Sequence, residues 1–317
     1  MKRHQSYTDI ATDDRGAAVA IGNFDGVHLG HQSVIALARA AAAELNCATG
    51  IVTFEPHPRS LFSPDAAPFR LMDATAKAHR LEKLGIGQLY EVPFTRDLAG
   101  LTAEEFVTNV LIDGIGVRHV VVGADFRFGK GRAGDTEFLK DAGARHGFGV
   151  TIAPLISDQT GDVSSTAIRN ALAQGRPEEA ARMLGHWHRI DGYVDHGEKR
   201  GRELGFPTAN IAMPDLHPPK FGIYAVQFEI FDGPHTGSYL GAASVGVRPT
   251  FDGDVPNIET YIFDFAGDIY GAEVSVALVA YLRAEEKFDD LDALVAKMNR
   301  DCDQARSILA ERLDKAG

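Results

Sequence analysis

The chain contains 317 residues, more than one compact core usually holds, since single cores stop growing at about 250–300 residues. Hydrophobic residues make up 44% and charged residues 24% of the sequence, which excludes a disordered chain. The formal net charge of −12 excludes a general attraction to nucleic acid or anionic lipid, so any phosphate ligand must be held locally. We therefore expect two globular domains.

The cysteine content and the apolar runs indicate a cytoplasmic protein. Only Cys47 and Cys302 are present, too few for a disulfide framework or a multi-cysteine zinc site. The first residues are polar, and the longest apolar run, VSVALVAYL, is too short to cross a bilayer. We expect neither a secretion signal nor a membrane-spanning segment.

Apolar strand-like runs alternate with helical segments over the first half of the chain. The runs are AAVAI, ATGIVTF, QLYEV, HVVVG and VTIAP. Apolar residues at helical spacing from Val34 to Leu45 predict an amphipathic helix, and Thr102 with Glu105 predicts a capping box. This alternation predicts an α/β domain with a parallel sheet covered by helices.

The pattern changes after a helix that we expect to begin near Pro177 and to end by Gly185. Short strand candidates follow, separated by turn residues: RIDGYV, GIYAVQFEIF, YLGAASVGV, IETYIFDF and EVSVALVAYL. Strands at this spacing predict an antiparallel barrel or sandwich. A final helix with one apolar face is predicted over Leu291–Leu309, with Asp289 or Asp290 as its cap.

The predicted domains are residues 1–185 and 186–317. After residue 186 the chain has 13 basic and 22 acidic residues, so this half carries −9 of the net charge. Because such a domain repels a bare nucleotide, a phosphate substrate there should arrive with a divalent cation. A merely solvated acidic surface explains the same count.

The segment AIGNFDGVHLGHQ, residues 20–32, predicts a phosphate-binding loop. A strand runs through Gly22 and Gly26 into a helix beginning near Gly30, so the backbone can approach an anion and the helix start presents donors. His28 and His31 lie three residues apart across that start and should point toward one pocket. Two histidines at such a junction are more often structural or surface residues, and both interpretations stay open here.

A second candidate cluster is VSSTAIRNAL, residues 163–172. Ser164 or Ser165 can cap the next helix, and Arg169 lies about one turn into it, where it could clamp a phosphate in forked geometry. An ordinary helix cap followed by a surface arginine fits the same residues.

The second half contains a Gly-rich basic stretch, HGEKRGRELGFPTANIAMPD, residues 196–215. Such a loop can wrap phosphates, and Pro207 fixes the backbone ahead of Thr208 and Asn210. Those two side chains offer the hard oxygen ligands that Mg²⁺ prefers. A polar turn before a strand is the alternative.

An acidic residue lies in the strand candidate IETYIFDF. Alternation places Glu259, Tyr261, Phe263 and Phe265 on one strand face. A carboxylate among aromatic rings is costly to bury, so Glu259 is a candidate general base. An acid at the solvent-exposed end of a strand would give the same pattern.

These segments carry a family resemblance. GNFDGVHLGH resembles the nucleotide-binding signature of nucleotidylyltransferases, in the form found in prokaryotic bifunctional riboflavin kinase/FAD synthetases. VTFEPHPRSLF, VVGADFRFGKGRAGD and VSSTAIRNAL follow in the order of the remaining adenylyltransferase motifs, and GFPTAN and YLRAEEKF resemble the riboflavin kinase signature and closing segment. The resemblance implies a Rossmann-like nucleotidylyltransferase domain, then an antiparallel riboflavin kinase β-barrel with a terminal helix.

The resemblance also implies the chemistry. The C-terminal domain would phosphorylate riboflavin to FMN with Mg-ATP, and the N-terminal domain would transfer AMP from a second ATP to FMN, giving FAD and pyrophosphate. Both steps would need Mg²⁺, with ATP as co-substrate, and the partners would be riboflavin, FMN, FAD and ATP, with no nucleic acid or membrane.

Roles for individual residues follow from the same resemblance. The expected catalytic residues are His28, His31 and Arg169 for adenylyl transfer and Glu259, which takes the proton of the ribityl hydroxyl, for the kinase. The expected ATP contacts are Gly22, Asn23, Phe24, Asp25, Ser164, Ser165 and Thr166 in the first domain and Gly201, Arg202 and Gly205 in the second. The expected magnesium ligands are Thr208 and Asn210.

The flavin contacts are expected among residues that can face a planar ring or bond its edge. The candidates are Phe54, His57, Phe62, Asp125, Phe128 and Arg283. A place in the hydrophobic core is equally consistent with each phenylalanine.

Two rival functions remain open from the sequence. In one, only the N-terminal domain is active and transfers AMP to another phosphorylated acceptor, such as a pantetheine or nicotinamide ribotide. In the other, the chain is a non-catalytic flavin carrier or regulator. The rival with one active domain does not explain why GFPTAN and Glu259 occur together. The non-catalytic rival does not explain the combined presence of the polar residues His28, His31, Arg169, Thr208, Asn210 and Glu259.

Overall fold

The computed structural model describes residues 1–158, 161–195, 205–213, 215–250 and 253–313. The chain forms two compact units. The first comprises Met1–Ala66 and Lys77–Val163, and the second comprises Ala67–Ala76 and Ser164–Gly317. The division lies before the predicted boundary at residue 185, because the helices that precede that boundary and a short internal segment pack with the C-terminal strands.

Six strands form the sheet of the first unit: β1 Lys2–His4, β2 Ala18–Ile21, β3 Thr49–Glu55, β4 Gln88–Pro93, β5 His119–Gly123 and β6 Gly149–Ala153. All pairs are parallel, and the order is β1-β4-β3-β2-β5-β6. Strand β2 is buried throughout, as expected for a parallel sheet covered on both faces. The strand order reverses between β2 and β5, and open α/β sheets bind ligands at the carboxyl ends of strands at such a point.

Five of these strands confirm the predicted runs, whereas β1 was not predicted. Its residues are polar and only three in number, and they enter the sheet by parallel pairing with Gln88–Tyr90 of β4. Edge pairing of this kind leaves no hydrophobic pattern in the sequence.

The helices of the N-terminal half are α1 Leu29–Leu45, α2 Pro58–Phe62, α3 Ala74–Lys83, α4 Arg96–Gly100, α5 Ala103–Glu105 and α6 Thr136–His146, with a π-helical segment over Phe106–Ile115. Helix α1 buries Val34, Ile35 and Ala38, which confirms the predicted apolar stripe. The predicted capping box is also present, with Thr102 Oγ1 accepting the Glu105 N–H at 3.2 Å and Glu105 Oε2 accepting the Thr102 N–H at 2.8 Å.

The second unit contains an antiparallel barrel. A two-stranded hairpin of β7 Ser157–Asp158 and β8 Gly161–Asp162 precedes it, followed by helices α7 Ser165–Ala173 and α8 Pro177–Leu184. The barrel strands are β9 His188–Tyr193, β10 Thr208–Ala212, β11 Gly222–Ile230, β12 Gly237–Thr250, β13 Gly253–Ile262 and β14 Glu273–Arg283, and the terminal helix is α9 Leu291–Leu313. The sheet order is β10-β13-β12-β11-β14-β9.

The two edges of this curled sheet meet at one bridge. The N–H of Asp195, which follows β9, donates to the carbonyl of Asn210 in β10 at 2.9 Å. Closure removes the exposed edges that an open antiparallel sheet would present. The predicted antiparallel barrel with a terminal helix is confirmed.

The two faces of the barrel strands have separate apolar clusters. The interior cluster includes Val226, Phe228, Val245, Ile258 and Ile262. The outer cluster includes Ala225, Ala242 and Phe263 and two residues of α9, Ala305 and Leu309. Helix α9 therefore covers part of the outer face, and the opposite faces alternate along each strand.

The predicted alternation from Glu259 to Phe265 is wrong at its end. Strand β13 ends at Ile262, and Asp264 has a positive φ of 55°, so the chain turns there. Phe263 stays in the outer cluster, whereas Phe265 packs against the interior cluster. A turn inside an apolar run is not visible in a period-two pattern.

Helix α9 is held by a cap and by a buried ion pair. Asp290, one of the two predicted caps, accepts the N–H of Ala293 through Oδ2 at 3.2 Å. Arg283 at the end of β14 donates from Nε to Asp301 Oδ1 at 3.1 Å and from Nη2 to Oδ2 at 2.7 Å. The two side chains are 14% and 6% exposed.

No helix among the described residues is long and apolar enough to span a bilayer.

Replacing Asp301 with alanine should destabilise the barrel by about 3 kcal/mol, because Arg283 then keeps a largely buried charge without its main partner. Trp187, the single tryptophan, packs against the outer cluster and reports unfolding by fluorescence. Asp303→Ala, at an exposed position of the same helix, is the matched control. Equal unfolding midpoints for the two variants would contradict this role of the ion pair.

Candidate active sites

The loop after β2 adopts a backbone conformation that side chains rarely take. Phe24 and Val27 have φ values of +51° and +43°, and Gly26 between them has +85°. Both large side chains are buried, at 1% and 0% exposure, so core packing holds the backbone in this form. Backbone strain of this kind clusters at ligand sites, and here it follows the carboxyl end of the central strand.

His28 ends the loop and caps α1. Its Nδ1 accepts the backbone N–H of His31 at 3.3 Å, and the two imidazole rings stack with centroids 3.6 Å apart. His28 is only 6% exposed. The structure therefore brings the two predicted histidines together at a helix N-terminus, where backbone N–H groups favour an anion.

The surroundings of His31 favour a neutral ring. Burial, and then the nearby His28 and Lys77, hold the pKa of His31 well below its ordinary value. Its Nδ1 is buried and has no hydrogen-bond partner among the described residues. A buried polar atom without a partner is costly, so this nitrogen is available to a ligand at the helix start.

A buried lysine supports the loop from the other side. Lys77 in α3 is 2% exposed. Its ammonium donates to the carbonyl of Asn23 at 3.2 Å, to Thr53 Oγ1 at 3.1 Å and to Glu55 Oε1 at 2.8 Å. Thr53 Oγ1 also donates to the Asn23 carbonyl, at 3.2 Å. Asn23 is thus fixed through its backbone, by a cation paired with a carboxylate.

The remaining loop residues flank these contacts. Gly22 follows β2, and its N–H donates to the carbonyl of Val52 at 3.1 Å. Asp25 is 5% exposed, so a carboxylate lies within the loop beside the strained positions. All four predicted ATP contacts of this segment, Gly22 to Asp25, lie at the carboxyl end of β2.

Three of the predicted flavin contacts belong to a continuous aromatic cluster in the first unit. Phe54 meets Phe94 edge to face at 5.7 Å, and Phe62 meets the same ring at 5.9 Å. Phe62 is 69% exposed, whereas Phe128 is 7% exposed within the core. Phe62 therefore offers an open ring, and Phe128 has the environment of a packing residue.

The other two predicted flavin contacts of this unit are polar. His57 caps α2, with Nδ1 accepting the N–H of Arg59 at 3.1 Å. Asp125 is exposed and lies two residues after the end of β5. Its position at the carboxyl end of a strand next to β2 is one where ligands of such sheets bind.

The segment SSTAIR, residues 164–169, lies in the second unit and contains the beginning of α7. Ser164 is the cap: its Oγ accepts the N–H of Ala167 at 3.2 Å. Arg169 donates from Nη2 to Thr166 Oγ1 and from Nη1 to the carbonyl of Phe69, both at 3.3 Å. Ser165 is the first helical residue, so the predicted phosphate-facing residues share the first turns of one helix.

The kinase candidates come together on the outer face of the barrel. In the antiparallel pairing of β10 with β13, Asn210 lies directly opposite Glu259, and Thr208 is on the same face. Asn210 is 7% exposed, and its Nδ2 contacts the carbonyl and Oγ1 of Thr208 at 3.4 Å each. Glu259 accepts a hydrogen bond from Asn257 Nδ2 at 3.1 Å.

A second carboxylate lies on this face. Ser244 in β12 pairs with Glu259 and donates from Oγ to Glu285 Oε1 at 3.2 Å. A Cβ at Gly246 would lie 2.6 Å from that same oxygen, so the Glu285 carboxylate lies directly over the backbone of β12. Two carboxylates beside amide and hydroxyl oxygens form a donor set that suits a hard divalent cation.

Two predicted ATP contacts, Gly201 and Arg202, lie outside the described residues. Gly205 is described and has φ +83°, with open space where a Cβ would project. Arg283, a predicted flavin contact, is committed to Asp301 and donates from Nη1 to the carbonyl of Ala284 at 2.9 Å. These contacts indicate that Arg283 positions the segment after β14 rather than contacting the flavin directly.

Comparison with known proteins assigns the chain to a family. A family model described as FAD synthetase matches residues 10–167, and one described as riboflavin kinase matches residues 184–309. The bifunctional riboflavin kinase/FMN adenylyltransferase of Pseudomonas fluorescens is 42% identical over 95% of this chain and 96% of its own length. The chain belongs to the bifunctional riboflavin kinase/FMN adenylyltransferase family.

Other relatives agree over nearly their full lengths. The proteins of the same description from Listeria monocytogenes and Escherichia coli K12 are 39% and 38% identical and cover 99% and 90% of this chain, over 100% and 90% of their own. A crystal structure of a macrolide-efflux protein from Streptococcus pneumoniae superimposes with a TM-score of 0.80 at 33% identity, covering 95% of this chain and 96% of that one. The two activities predicted from the motifs, riboflavin kinase and FMN adenylyltransferase, are confirmed by the family.

Two supporting residues were not predicted from the sequence. Lys77 lies four residues before the buried Leu81, on the apolar side of α3. A lysine on the apolar side of a helix is the sequence signal that could have identified it as a supporting residue. Asn257 lies two residues before Glu259, so strand alternation places it on the same face. Neither signal reveals the partner, because both contacts depend on pairing between distant segments.

His31 should remain uncharged in the unliganded enzyme well below pH 6.5. In the unfolded chain the ring takes up a proton near pH 6.5, but in the folded one burial opposes it, so this group makes folding less favourable as the pH falls below 6.5. Imidazole ¹⁵N chemical shifts recorded between pH 8 and 5.5 measure the protonation directly. Titration of His31 with a midpoint near 6.5 would contradict the buried environment described above.

Proposed function

We propose that residues 1–185 carry out adenylyl transfer and residues 186–317 the riboflavin kinase step, each with the residues assigned below. The observation that carries the kinase assignment is the register that sets Glu259 opposite Asn210. The family models support the order of the two activities, since one ends at residue 167 and the other begins at residue 184. Helices α7 and α8 join the two regions.

In the kinase step, Glu259 accepts the proton of the terminal ribityl hydroxyl as its oxygen attacks the γ-phosphorus of ATP. Asn257 holds one carboxylate oxygen at 3.1 Å, which leaves the other oxygen to face the hydroxyl. Gly205, which precedes β10, contacts the ATP phosphates, and the sequence resemblance gives Gly201 and Arg202 the same role. The bond from the γ-phosphorus to the β–γ bridging oxygen breaks, and ADP leaves.

Magnesium is the proposed cation of the kinase site. Thr208 Oγ1 and Asn210 Oδ1 fit it because they are hard oxygens on one strand face, beside the carboxylates of Glu259 and Glu285. When bound, the ion would neutralise charge on the ATP phosphates. The −9 charge of this half of the chain supports the same requirement, since a bare triphosphate would be repelled.

Replacing Asn210 with alanine should raise the Mg²⁺ concentration needed for half-maximal FMN formation by about tenfold, because one of two proposed protein ligands is lost. FMN formation is measured against Mg²⁺ at fixed ATP. Asn299→Ala, an exposed residue of α9, is the matched control. An unchanged Mg²⁺ dependence for Asn210→Ala would remove it from the ligand set.

In the adenylyl step, the FMN phosphate attacks the α-phosphorus of ATP, the bond to the α–β bridging oxygen breaks, and pyrophosphate leaves. His28 and His31, with the N–H groups of the α1 start, donate to the phosphate oxygens where charge accumulates. Arg169 and the α7 start, Ser164 to Thr166, bind the phosphates in the same way. Gly22 to Asp25 line the ATP site.

The flavin of the adenylyl step is proposed to bind beside the aromatic cluster. Phe62 offers the exposed ring and Phe54 the wall behind it, with His57 and Asp125 at the polar edge. Phe128 contributes from within the core, by packing. Arg283 stays a prediction for flavin binding in the kinase half.

We place the reactions in the cytoplasm. Cys47 and Cys302 are both free thiols, which suits a reducing compartment. The proposed partners are small molecules, namely riboflavin, FMN, FAD and ATP. The net charge of −12 supports the proposal that neither nucleic acid nor an anionic membrane is a partner.

The two activities should be separable by mutation. Glu259→Gln should reduce FMN formation by at least a hundredfold, in line with the loss of a general base, while conversion of supplied FMN to FAD continues. His28→Ala should do the reverse and stop the reaction at FMN. Chromatography of flavins after incubation with Mg-ATP and either riboflavin or FMN measures both steps.

Glu273→Gln, an exchange on β14, is the matched control for Glu259 and should leave both rates unchanged. Loss of both activities in folded Glu259→Gln would contradict independent sites, and FAD formation at the wild-type rate by His28→Ala would remove that residue from the mechanism. Absence of any phosphorylated flavin with the unmodified protein would support the non-catalytic carrier. FMN-to-FAD conversion without riboflavin phosphorylation would support the rival with only the first domain active.

A further inference from the structure

We infer that His217, a residue of the region matched by the riboflavin kinase model, is a positioning residue for the adenylyl step and acts by holding Arg169. The inference rests on the role of Arg169 in the proposed function. His217 lies in the connection between β10 and β11, a few residues after the proposed magnesium ligands. Nothing in the GFPTAN segment or in its kinase role calls for a histidine there.

The contact is direct. His217 Nε2 lies 3.1 Å from the carbonyl oxygen of Arg169, and because a carbonyl can only accept, the ring nitrogen donates. Burial lowers the pKa of His217, which favours the neutral ring with one N–H. This carbonyl lies inside α7, so the imidazole adds a lateral hydrogen bond to the helix at the residue that carries the guanidinium.

The same histidine also holds the partner of the guanidinium. The backbone N–H of His217 donates to the carbonyl of Arg70 at 2.8 Å, and Arg70 forms a parallel bridge with Leu216. The carbonyl of Phe69, the preceding residue, accepts from Arg169 Nη1 at 3.3 Å. His217 therefore fixes both the helix that carries Arg169 and the strand-like segment against which its guanidinium lies.

The surrounding residues make this arrangement rigid. Phe69, Leu71 and Met72 are at most 9% exposed, so the internal segment is anchored by its side chains. At the end of α7, the N–H of Lys220 donates to the carbonyl of Leu172 at 2.9 Å. The connection from Leu216 to Lys220 thus holds α7 at two points, one in its middle and one at its end.

The chemical consequence concerns the orientation of the guanidinium. A forked donor aids phosphoryl or adenylyl transfer only when its two N–H groups are aimed at the oxygens that gain charge, and small displacements cost large factors in rate. Without the imidazole, Arg169 is still present and charged, but α7 can rotate relative to the segment that contains Phe69. The adenylyl rate should fall more than ATP affinity, and the kinase rate should be unaffected.

The test measures both activities of full-length His217→Ala. FMN-to-FAD conversion should fall about tenfold in kcat with KM for ATP changed less than about threefold, and riboflavin phosphorylation should stay within about twofold, as expected from loss of one positioning bond. His217→Gln, which keeps an N–H donor at similar reach, should recover most of the adenylyl rate. His235→Ala, a partly buried histidine of the same unit in contact with Phe265, is the matched control and should change neither rate.

A double-mutant cycle with Arg169→Ala separates the possible results. If His217 acts through Arg169, adding His217→Ala to Arg169→Ala should cause no further loss. If Arg169→Ala loses FMN-to-FAD conversion while His217→Ala keeps it in full, the inference is overturned and the proposed function stands. A fully active Arg169→Ala would overturn the role of Arg169 itself. Equal losses of both activities in His217→Ala would show a general structural effect and would also overturn the inference.

Discussion

Two sites for triphosphates in a chain with a net charge of −12 need positive potential that is strictly local. The protein supplies it through buried groups whose orientation is fixed, and it does so differently in its two units. At the loop after β2, the proposed ATP site, the sources are the partly exposed start of α1 and the buried ammonium of Lys77. On the barrel face that holds Asn210, the described side chains Thr208, Glu259 and Glu285 are acidic or neutral, which supports the proposal that positive charge arrives there with the nucleotide.

Burial, and after it the neighbouring His28 and Lys77, lowers the pKa of His31 in the first unit. A charged imidazole beside Lys77 would add a second positive charge in a water-poor environment, which is unfavourable without an anion. In the proposed adenylyl site, the phosphate oxygens of ATP would supply the negative charge that offsets both groups.

The sequence predicted the parts of the molecule whose signals are local. The strands β2 to β6, the Thr102–Glu105 capping box and the helix cap at Ser164 or Ser165 all depend on spacing within a few residues. The pairing of Asn210 with Glu259 needs the register of two strands about fifty residues apart, and the Lys77 contacts need two strands and a helix. The turn at Asp264, which redirects Phe265, depends on tertiary packing and leaves no periodic signal.

The division of the chain into compact units does not follow the division of its chemistry. The SSTAIR segment belongs to the adenylyl signature, yet α7 and the internal segment around Phe69 pack with Leu216 and His217 of the kinase half. A cut at residue 185 would remove those partners while leaving every adenylyl signature residue in place. In the proposed function Arg169 acts in adenylyl transfer, yet its contacts with Phe69 and His217 lie within the unit that contains the barrel. On that proposal the adenylyl step depends on a residue of the region that the riboflavin kinase model matches, independent of any transfer of FMN between the sites.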